Sequence, residues 1–405
     1  MTRKMTSNAA ALEATYGAHN YAPLPVVLVR DDGIHVWDEQ GKQYIDMLGA
    51  YSAVSHGHCH PRLVAALVDQ AGRMDVISRA FLSDRLGDFL ELACRMTGMA
   101  RALPMNTGAE AVETALKAAR KWAYTVKGVA DDAAEIIVCD GNFHGRTIAI
   151  TGFSSTAQYR AGFGPFPPGF KAVPFGDAAA LGAAITANTA AFLVEPIQGE
   201  GGVVLPPDGY LAKCAEICRD NNVLLMCDEI QTGLGRTGRL LASDHDGVKP
   251  DGLMLGKALG GGLVPVSMFL ARDDVMDVFT PGDHGSTFGG YPLGAAVGYE
   301  ALRVLEDEAL VERSDRLGKY MLGKLGGLNH PAIRDVRGRG LLAGVEFDPA
   351  QFSASDICHE LLHRGVLCKD TLRNTVRFAP PFVIEESEID QAVAALSGVL
   401  TKLAA

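Results

Sequence analysis

The sequence predicts an α/β protein with a mostly parallel main sheet covered by helices, and with a second, smaller α+β domain. Between about residues 60 and 290, short apolar runs alternate regularly with helix-like stretches, as in consecutive β–α units. The chain has 405 residues, more than the roughly 250–300 at which a single core stops growing, so we expect about two domains. We place the large domain at residues 51–292 and build the small one from residues 1–50 and 293–405.

The individual elements follow from hydrophobic periodicity and turn residues. A small hairpin region is predicted at residues 26–47, with turns at Asp32-Gly33 and between Asp38 and Gly41. Helices are predicted at residues 61–73, 109–127, 178–187 and 207–221. Strands are predicted at residues 135–139, 192–195, 223–227, 252–255 and 266–270. A long helical stretch at residues 293–325 then leads to strands at residues 341–347 and 375–378.

Composition and charge exclude several classes of protein. Hydrophobic residues make up 48% of the chain, enough for a sizeable core. No apolar run reaches the ~18 residues of a membrane span. The formal net charge of −11 argues against nucleic acid or an anionic membrane as a partner. A small anionic substrate would therefore need arginines inside a dedicated site.

The eight cysteines are scattered, and several lie in apolar runs. Cys214 and Cys218 have the spacing of one helix face rather than that of a zinc-binding turn. This pattern favours reduced thiols in a cytosolic, hence cytoplasmic, protein. The basic residues 1–10 contain no apolar core segment, so we expect no secretion signal, and the segment is too short for a transit peptide.

Lys257 and Asp228 form the most informative pair. Lys257 follows the apolar residues 253–255 and precedes a glycine cluster, so its amine is poorly solvated and its neutral form accessible. Asp228 ends another apolar run. Pyridoxal phosphate needs an imine partner and a counter-ion for its pyridinium nitrogen, and this pair supplies both. For the lysine alone, a solvated loop amine is the alternative, but the two motifs together favour the cofactor.

A phosphate cradle is predicted where Asn106-Thr107-Gly108-Ala109 leads into a helix. Free backbone N–H groups and the positive end of the helix dipole attract a phosphate at such a position. Ordinary helix capping by Asn106 or Thr107 explains the same residues equally well. This motif alone leaves the two interpretations open.

Two further loops and one strand carry candidate binding residues. Phe143 offers a face for stacking on a flat cofactor, and Arg146 offers a guanidinium for a carboxylate. A core phenylalanine and a surface arginine are the alternative, which a short glycine-flanked loop makes less attractive. Glu200 lies in a glycine-rich loop and Arg377 on a C-terminal strand, where each is also compatible with an ordinary solvated charge.

Three other patterns are rejected. The glycines at 233, 235 and 238 have dinucleotide-binding spacing, but they do not join a strand to a helix in a β–α–β unit. Residues 252–258 resemble a P-loop, but the spacing is one residue short and Ala258 replaces the Ser or Thr that holds magnesium. Three alternating histidines lack a neighbouring motif that completes a ligand set, so we expect no metal. They are His56, His58 and His60.

Longer segments carry a resemblance to a known family. They are residues 17–25 (GAHNYAPLP), 51–54 (YSAV), 57–61 (GHCHP), 162–170 (GFGPFPPGF) and 284–290 (HGSTFGG). From about Tyr16 to its end, the chain resembles the class III (omega) aminotransferases of pyridoxal phosphate fold type I. Within that family it is similar to the members that act on ornithine. The resemblance implies a large domain with a mostly parallel seven-stranded sheet, and a small α+β domain built from both chain ends.

The resemblance also implies the residues that bind pyridoxal phosphate. Lys257 corresponds to the Schiff-base lysine and Asp228 to the aspartate at the pyridinium nitrogen, and both are catalytic. Phe143 would stack on the ring, and Gln231 would bond its hydroxyl oxygen. The phosphate would be held by residues of two subunits, which implies a homodimer or a higher homo-oligomer. These residues are Thr107, Gly108 and Ala109 of one subunit, with Ser286 and Thr287 of the neighbouring one.

The substrates implied by the resemblance are L-ornithine and 2-oxoglutarate in a ping-pong reaction that gives glutamate-5-semialdehyde and glutamate. Tyr21 and Arg146 would hold the α-carboxylate of L-ornithine, which places its δ-amine at the cofactor, and Tyr51 would line the pocket. Arg377 would bind the α-carboxylate of 2-oxoglutarate. Glu200 would pair with Arg377 while ornithine is bound and then release it.

Two residues depart from the family pattern. His144 stands where animal members tend to carry Trp, and Tyr291 stands where Asn is expected. They leave the substrate range less defined than the reaction type. The nearest alternative is an omega-aminotransferase for N-acetylornithine or 4-aminobutyrate, against which Tyr21 and Tyr51 argue.

Two more distant alternatives have less support. A catalytically inactive pyridoxal phosphate protein is opposed by the intact set of functional residues, and an NAD-linked oxidoreductase rests only on the rejected glycine pattern. Arginine breakdown and proline synthesis are both compatible with the sequence.

Overall fold

The structure, a computed structural model, describes residues 8–404. Of the basic N-terminal segment discussed above, residues 1–7 lie outside the described residues, as does Ala405. Within residues 8–404, no helix combines the length and the apolar character needed to cross a lipid bilayer.

The described chain contains strands in three sheets. In chain order they are β1 (Leu28–Asp32), β2 (His35–Asp38), β3 (Gln43–Asp46), β4 (Arg101–Met105), β5 (Glu135–Cys139), β6 (Phe170–Val173), β7 (Thr189–Val194), β8 (Leu224–Asp228), β9 (Gly252–Leu255), β10 (Ser267–Ala271), β11 (Ile333–Arg339), β12 (Leu342–Phe347), β13 (Val366–Leu367), β14 (Lys369–Thr371) and β15 (Thr375–Phe378).

The α-helices cover both faces of the largest sheet and flank the smaller ones. They are α1 (Ala9–Tyr16), α2 (Pro61–Ala71), α3 (Leu86–Thr97), α4 (Gly108–Trp122), α5 (Ile148–Gly152), α6 (Ala157–Arg160), α7 (Ala178–Ala184), α8 (Tyr210–Asp220), α9 (Asp273–Met276), α10 (Pro292–Asp307), α11 (Leu310–Gly326), α12 (Ala354–His363) and α13 (Glu386–Ala404). Shorter 3₁₀ turns cover Ala242–Asp246 and Lys257–Gly260.

The largest sheet has seven strands in the order β4-β10-β9-β8-β7-β5-β6. Its neighbours are parallel except for β10, which runs antiparallel to both β4 and β9. The predicted mostly parallel seven-stranded sheet is therefore confirmed. The sequence did not predict β4, which contains Pro104. A proline cannot donate to a strand ladder, and β4 lies at an edge of the sheet, where this is tolerated.

Both faces of this sheet are buried, which explains the continuous apolar runs of its strands. Successive side chains of a strand point to opposite faces. In β8, Leu225 and Cys227 belong to one core cluster, whereas Leu224 and Met226 belong to a second cluster with the apolar face of α4. The sheet is thus a rigid layer between two cores, on which loops can be placed accurately.

Two four-stranded sheets come from the two ends of the chain. One has the order β1-β2-β3-β13 and the other β11-β12-β15-β14. The first joins both ends directly, because β13 pairs parallel to β3 with Ile45 opposite Val366. We propose that residues 8–50 and 293–404, the described parts of the predicted segments 1–50 and 293–405, form a small domain beside the large one at residues 51–292.

The predicted single helix at residues 293–325 is wrong, because α10 and α11 are separate helices. Ala309 between them has a φ of 48°. A right-handed helix cannot pass through this left-handed conformation, and no proline or glycine marks the break in the sequence. The helix predicted at residues 109–127 is α4 followed by a single π-helical turn, Ala123–Lys127.

Candidate active site

The candidate site lies at one edge of the seven-stranded sheet. All of its strands except β10 run in one direction, so their carboxyl ends lie along that edge, where ligands of open α/β sheets bind. Asp228 is the last residue of β8. The segments that follow β4, β9, β7 and β5 carry Thr107, Lys257, Glu200 and Phe143. The topology therefore brings together residues that the sequence offered as separate motifs.

A cavity of about 210 Å³ opens at this edge. Seven of the sequence-predicted site residues line it. They are Gly108, Ala109, Phe143, Glu200, Asp228, Gln231 and Lys257. The remaining lining residues are His144, Gly145, Glu195, Ile230 and Thr232.

Lys257 follows β9 in a strained backbone conformation. Its φ is 46°, a region that non-glycine residues rarely occupy and that is concentrated at functional sites. Burial lowers the pKa of Lys257, although Asp228 and Glu200 act in the opposite direction. Its amine therefore loses a proton more readily than a solvated lysine does, as a nucleophile or a general base requires.

Asp228 is fixed by two hydrogen bonds. Its Oδ2 lies 2.7 Å from Nδ1 of His144, and its Oδ1 accepts from the backbone N–H of Ile230 at 3.0 Å. Burial alone would lower the pKa of His144, but the Asp228 carboxylate outweighs this effect and raises it. Nε2 of His144 is buried without a hydrogen-bond partner in the described structure. The Asp228 carboxylate is thus held at the cavity wall by its contacts with His144 and with the backbone of Ile230.

The N-terminus of α4 supports both interpretations offered for Thr107. The Thr107 hydroxyl accepts from the backbone N–H of Glu110, and the Glu110 carboxylate accepts from the backbone N–H of Thr107, which completes a capping box. The backbone N–H groups of Gly108 and Ala109 donate to no acceptor in the described chain. Both residues line the cavity, and their N–H groups at the positive helix end can bind an anion.

Glu195 connects two loops of the site. It follows β7, accepts from the backbone N–H of Phe143 at 2.8 Å through Oε1, and accepts from that of Gly199 at 3.3 Å through Oε2. Burial raises the pKa of Glu195 to about 7. Its carboxyl group therefore fixes the Phe143 loop relative to the loop that carries Glu200.

Glu200 and Arg377 form an ion pair beside the cavity. Oε1 of Glu200 lies 2.6 Å from Nη1 of Arg377, whose side chain is only 1% exposed. Burial alone would raise the pKa of Glu200, but the charge of Arg377 outweighs it and lowers this pKa. Nε and Nη2 of Arg377 are buried without a hydrogen-bond partner among residues 8–404. The guanidinium therefore retains donors for a further carboxylate.

Tyr51 and Gln231 lie beside this ion pair. Cζ of Arg377 lies 5.1 Å from the centre of the Tyr51 ring, and Tyr51 sits in a left-handed turn with a φ of 60°. Nε2 of Gln231 donates to the Tyr51 carbonyl at 3.4 Å. A Cβ atom at Gly199 would lie 1.4 Å from Oε1 of Gln231, so a side chain at residue 199 would displace the Gln231 amide from this position.

Of the seven predicted residues that do not line the cavity, three lie directly beside residues that do, namely Thr107, Tyr51 and Arg377. The other four contact other parts of the chain or solvent. Tyr21 is 77% exposed, and Thr287 is also exposed. The hydroxyl of Ser286 accepts from Nδ2 of Asn106 at 2.7 Å in the same chain. Arg146 is exposed and lies over two aromatic rings. The roles of these residues in binding substrate or a second subunit's cofactor stay predictions.

The three alternating histidines make separate contacts. His56 bonds the Ala301 carbonyl, His58 lies between Asp31 and Asp46, and His60 contacts Glu308. In residues 8–404, no group of three or more His, Cys, Asp or Glu side chains has an arrangement that could hold a metal ion. All eight cysteines are free thiols, and Cys214 and Cys218 are buried on α8.

The sequence interpretation missed Glu195 and gave His144 no site role. Glu195 directly follows an apolar strand, as Asp228 ends one, so the pattern that identified the aspartate also marks the glutamate. His144 follows Phe143, but its contact with Asp228 joins the ends of β5 and β8. Sequence spacing does not show a contact between strands that are separated by β7.

The cavity fits pyridoxal phosphate on several independent features. The free N–H groups of Gly108 and Ala109 suit its phosphate, and Asp228 suits a protonated ring nitrogen. Oε1 of Gln231 is buried without a partner in the described structure and can accept from a ring hydroxyl. The amine of Lys257 lies in the same cavity, where it can react with an aldehyde.

Comparison with known proteins gives consistent results. Residues 16–400 match the family profile described as Aminotransferase class-III. Ornithine aminotransferase from Brevibacillus brevis is 54% identical over 385 residues, which cover 95% of this chain and 96% of the relative. The structure of ornithine aminotransferase from Toxoplasma gondii superposes with a TM-score of 0.96 at 48% identity, covering 98% of this chain and 94% of that one. Acetylornithine aminotransferase from Elizabethkingia anophelis superposes with a TM-score of 0.89, also at 48% identity, covering 97% and 98% of the two chains.

Proposed function

The chain belongs to the class III aminotransferases, and on this premise we propose that it transfers the δ-amino group of L-ornithine to 2-oxoglutarate. Its cofactor is pyridoxal phosphate. The observation that carries the choice of substrates is the Glu200–Arg377 pair, a guanidinium that a neighbouring carboxylate can cover or release at a cavity containing Lys257. Such a site can accept first a diamino monocarboxylate and then a dicarboxylate.

The cofactor and Lys257 have complementary roles in this proposal. When bound, pyridoxal phosphate supplies an electron-withdrawing ring that stabilises negative charge on the substrate carbon that loses a proton. Asp228 would hold a proton on the ring nitrogen, and Phe143 would stack on the ring. Gly108 and Ala109, with Thr107, would bind the phosphate through the start of α4. Lys257, with its lowered pKa, would remove the proton from the substrate carbon that bears the nitrogen and would return it on the cofactor side of that nitrogen.

The two arginines select the substrates by charge. Arg146, together with Tyr21, binds the α-carboxylate of L-ornithine, and Tyr51 lines the path of the side chain. While Glu200 covers Arg377, the charge of this guanidinium is compensated and does not repel the distal ammonium group. The dicarboxylate 2-oxoglutarate displaces Glu200 and bonds the free donors of Arg377.

Replacing Glu200 by alanine tests this exchange. The variant leaves Arg377 uncovered, so we expect the half-reaction with glutamate to gain about tenfold or more in kcat/KM relative to that with L-ornithine, the scale of one charged hydrogen bond. Stopped-flow absorbance of the two half-reactions measures this ratio. Glu300→Ala is a matched control, because it removes a carboxylate that lies at the same distance of 2.6 Å from Nε of Arg62, in an ion pair between α2 and α10. Unchanged donor preference and unchanged half-reaction rates in Glu200→Ala would contradict the exchange.

The experiment that tests the function compares two amino donors. Purified holoenzyme is mixed with L-ornithine or with N-acetyl-L-ornithine, without keto acid, and the cofactor's visible absorption is followed. We expect rapid loss of the band with L-ornithine and slow loss with the acetylated compound. The reverse order would assign the chain to the acetylornithine-type reaction, for which the similarity to the Elizabethkingia enzyme gives a specific reason. No reaction with either compound would overturn the proposed function.

We also propose a homodimer in the cytoplasm. Large apolar side chains are exposed in one chain, including Phe81 at 65% and Leu82 at 98%, and such residues are typical of an association surface. In a dimer, Ser286 and Thr287 would complete the phosphate site of the neighbouring subunit. Light scattering during gel filtration measures the oligomeric state, and a monomer with full activity would contradict this proposal.

A further inference from the structure

Arg146 is held by aromatic contacts rather than by a carboxylate. Its Cζ lies over the Tyr159 ring at 4.0 Å from the ring centre, and 5.6 Å from the centre of the Phe143 ring. Within residues 8–404, Arg146 forms no ion pair and donates no side-chain hydrogen bond. A guanidinium stacked by its face keeps the N–H groups at its edge available for another partner.

Tyr159 is itself fixed in place. It lies on the single turn α6, and its ring meets that of Phe143 edge to face, with centres 6.0 Å apart and planes at 77°. The hydroxyl of Ser155, just before this turn, accepts from the backbone N–H of Gly141 in the Phe143 loop at 2.7 Å. The turn that carries Tyr159 is thereby attached to the loop that carries Phe143 and Arg146.

Without the contact to Tyr159, the side chain of Arg146 would populate many rotamers. Ordering an arginine costs side-chain entropy, and a planar contact that orders it beforehand removes part of this cost from ligand binding. Tyr159 supplies this contact on one face of the guanidinium. The fork-shaped edge can then receive a carboxylate through two parallel hydrogen bonds.

We propose that Tyr159 is a positioning residue that aligns Arg146 for the α-carboxylate of the amino donor. This inference rests on the proposed function, in which Arg146 binds that carboxylate. Tyr159 acts through Arg146 and does not take part in the proton transfers. It therefore sets the affinity for the amino donor rather than the rate of the chemical step.

The test uses Tyr159→Leu and Tyr159→Phe in the holoenzyme. We expect Tyr159→Leu to raise KM for L-ornithine about three- to thirtyfold, the range of a cation–π contact, with kcat within about twofold of wild type. Tyr159→Phe keeps the aromatic face and should restore KM to near the wild-type value. Trp37→Leu is the matched control. It removes the ring that contacts Arg30 in the sheet β1-β2-β3-β13, where Cζ of Arg30 lies 3.8 Å from the ring centre.

A second measurement, of ligand binding, does not depend on catalytic turnover. Calorimetric binding of L-norvaline, which has the same α-amino acid end but no distal amine, should weaken in Tyr159→Leu by the same factor as KM rises. An unchanged KM and unchanged norvaline binding would overturn the inference, and so would a fall in kcat or in cofactor affinity without a rise in KM. If wild type fails to react with L-ornithine, the proposed function fails separately. The same comparison is then made with N-acetyl-L-ornithine, which carries the same carboxylate.

Discussion

Replacing Lys257 by alanine is expected to lower kcat for transfer from L-ornithine to 2-oxoglutarate by about 10²–10⁴-fold or more, the scale of a lost general acid–base group. The variant loses the amine that removes and returns the substrate proton, while Asp228 and the start of α4 remain to bind the cofactor. Steady-state kinetics measure the loss, and equilibrium dialysis measures the cofactor that is retained.

Lys127 provides the control for this experiment. Burial also lowers the pKa of Lys127, but its amine donates to the carbonyls of Thr189 and Asn221, outside the cavity. Lys127→Met should keep kcat close to wild type. Near-normal activity in Lys257→Ala, with the fold intact by circular dichroism, would show that another group performs the proton transfer.

Replacing Asp228 by asparagine is expected to lower kcat by about 10²-fold or more, because the side chain keeps its shape but loses the charge that holds a proton on the ring nitrogen. A second consequence concerns His144. Its pKa is raised by the Asp228 carboxylate against the effect of burial, so removal of that charge leaves burial dominant and lowers the pKa. The variant's His144 should therefore become neutral at a lower pH than in wild type, which NMR titration of the imidazole measures.

Asp38→Asn is the matched control for this variant. Asp38 is also buried and accepts a hydrogen bond from the Tyr44 hydroxyl at 2.8 Å, but it lies in the N-terminal sheet. Its replacement should leave kcat and the His144 titration unchanged. If Asp228→Asn kept wild-type kcat and the same His144 titration, Asp228 would have neither of the proposed effects.

The sequence predicted the fold where periodicity and strand ends carry the information. The apolar runs that became β5 and β9 were placed with their observed bounds, because both faces of these strands are buried. The break at Ala309 was not predictable, since a left-handed alanine leaves no mark in composition. The edge strand β4 was not predicted because it contains a proline, which is unfavourable inside most strands.

The candidate site was predictable to the extent that its residues follow strands directly. Lys257 and Asp228 were found in this way, and their common cavity follows from the parallel direction of β8 and β9. The contacts of His144 with Asp228 and of Arg146 with Tyr159 depend on the relative placement of separate loops. The spacing of residues along the chain does not predict how these loops are placed, so the two contacts could be identified only from the structure.

The parallel pairing of β3 with β13 has a consequence for the order of folding. Ile45 cannot meet Val366 until most of the polypeptide has left the ribosome, and contacts between such distant segments form slowly. The seven-stranded sheet, in contrast, uses strands from the middle of the chain and can form earlier. Arg377 lies on β15, after β13, so the arginine that Glu200 covers reaches the site only at the end of synthesis. We therefore expect nascent chains that end before β15 to bind the cofactor but not 2-oxoglutarate.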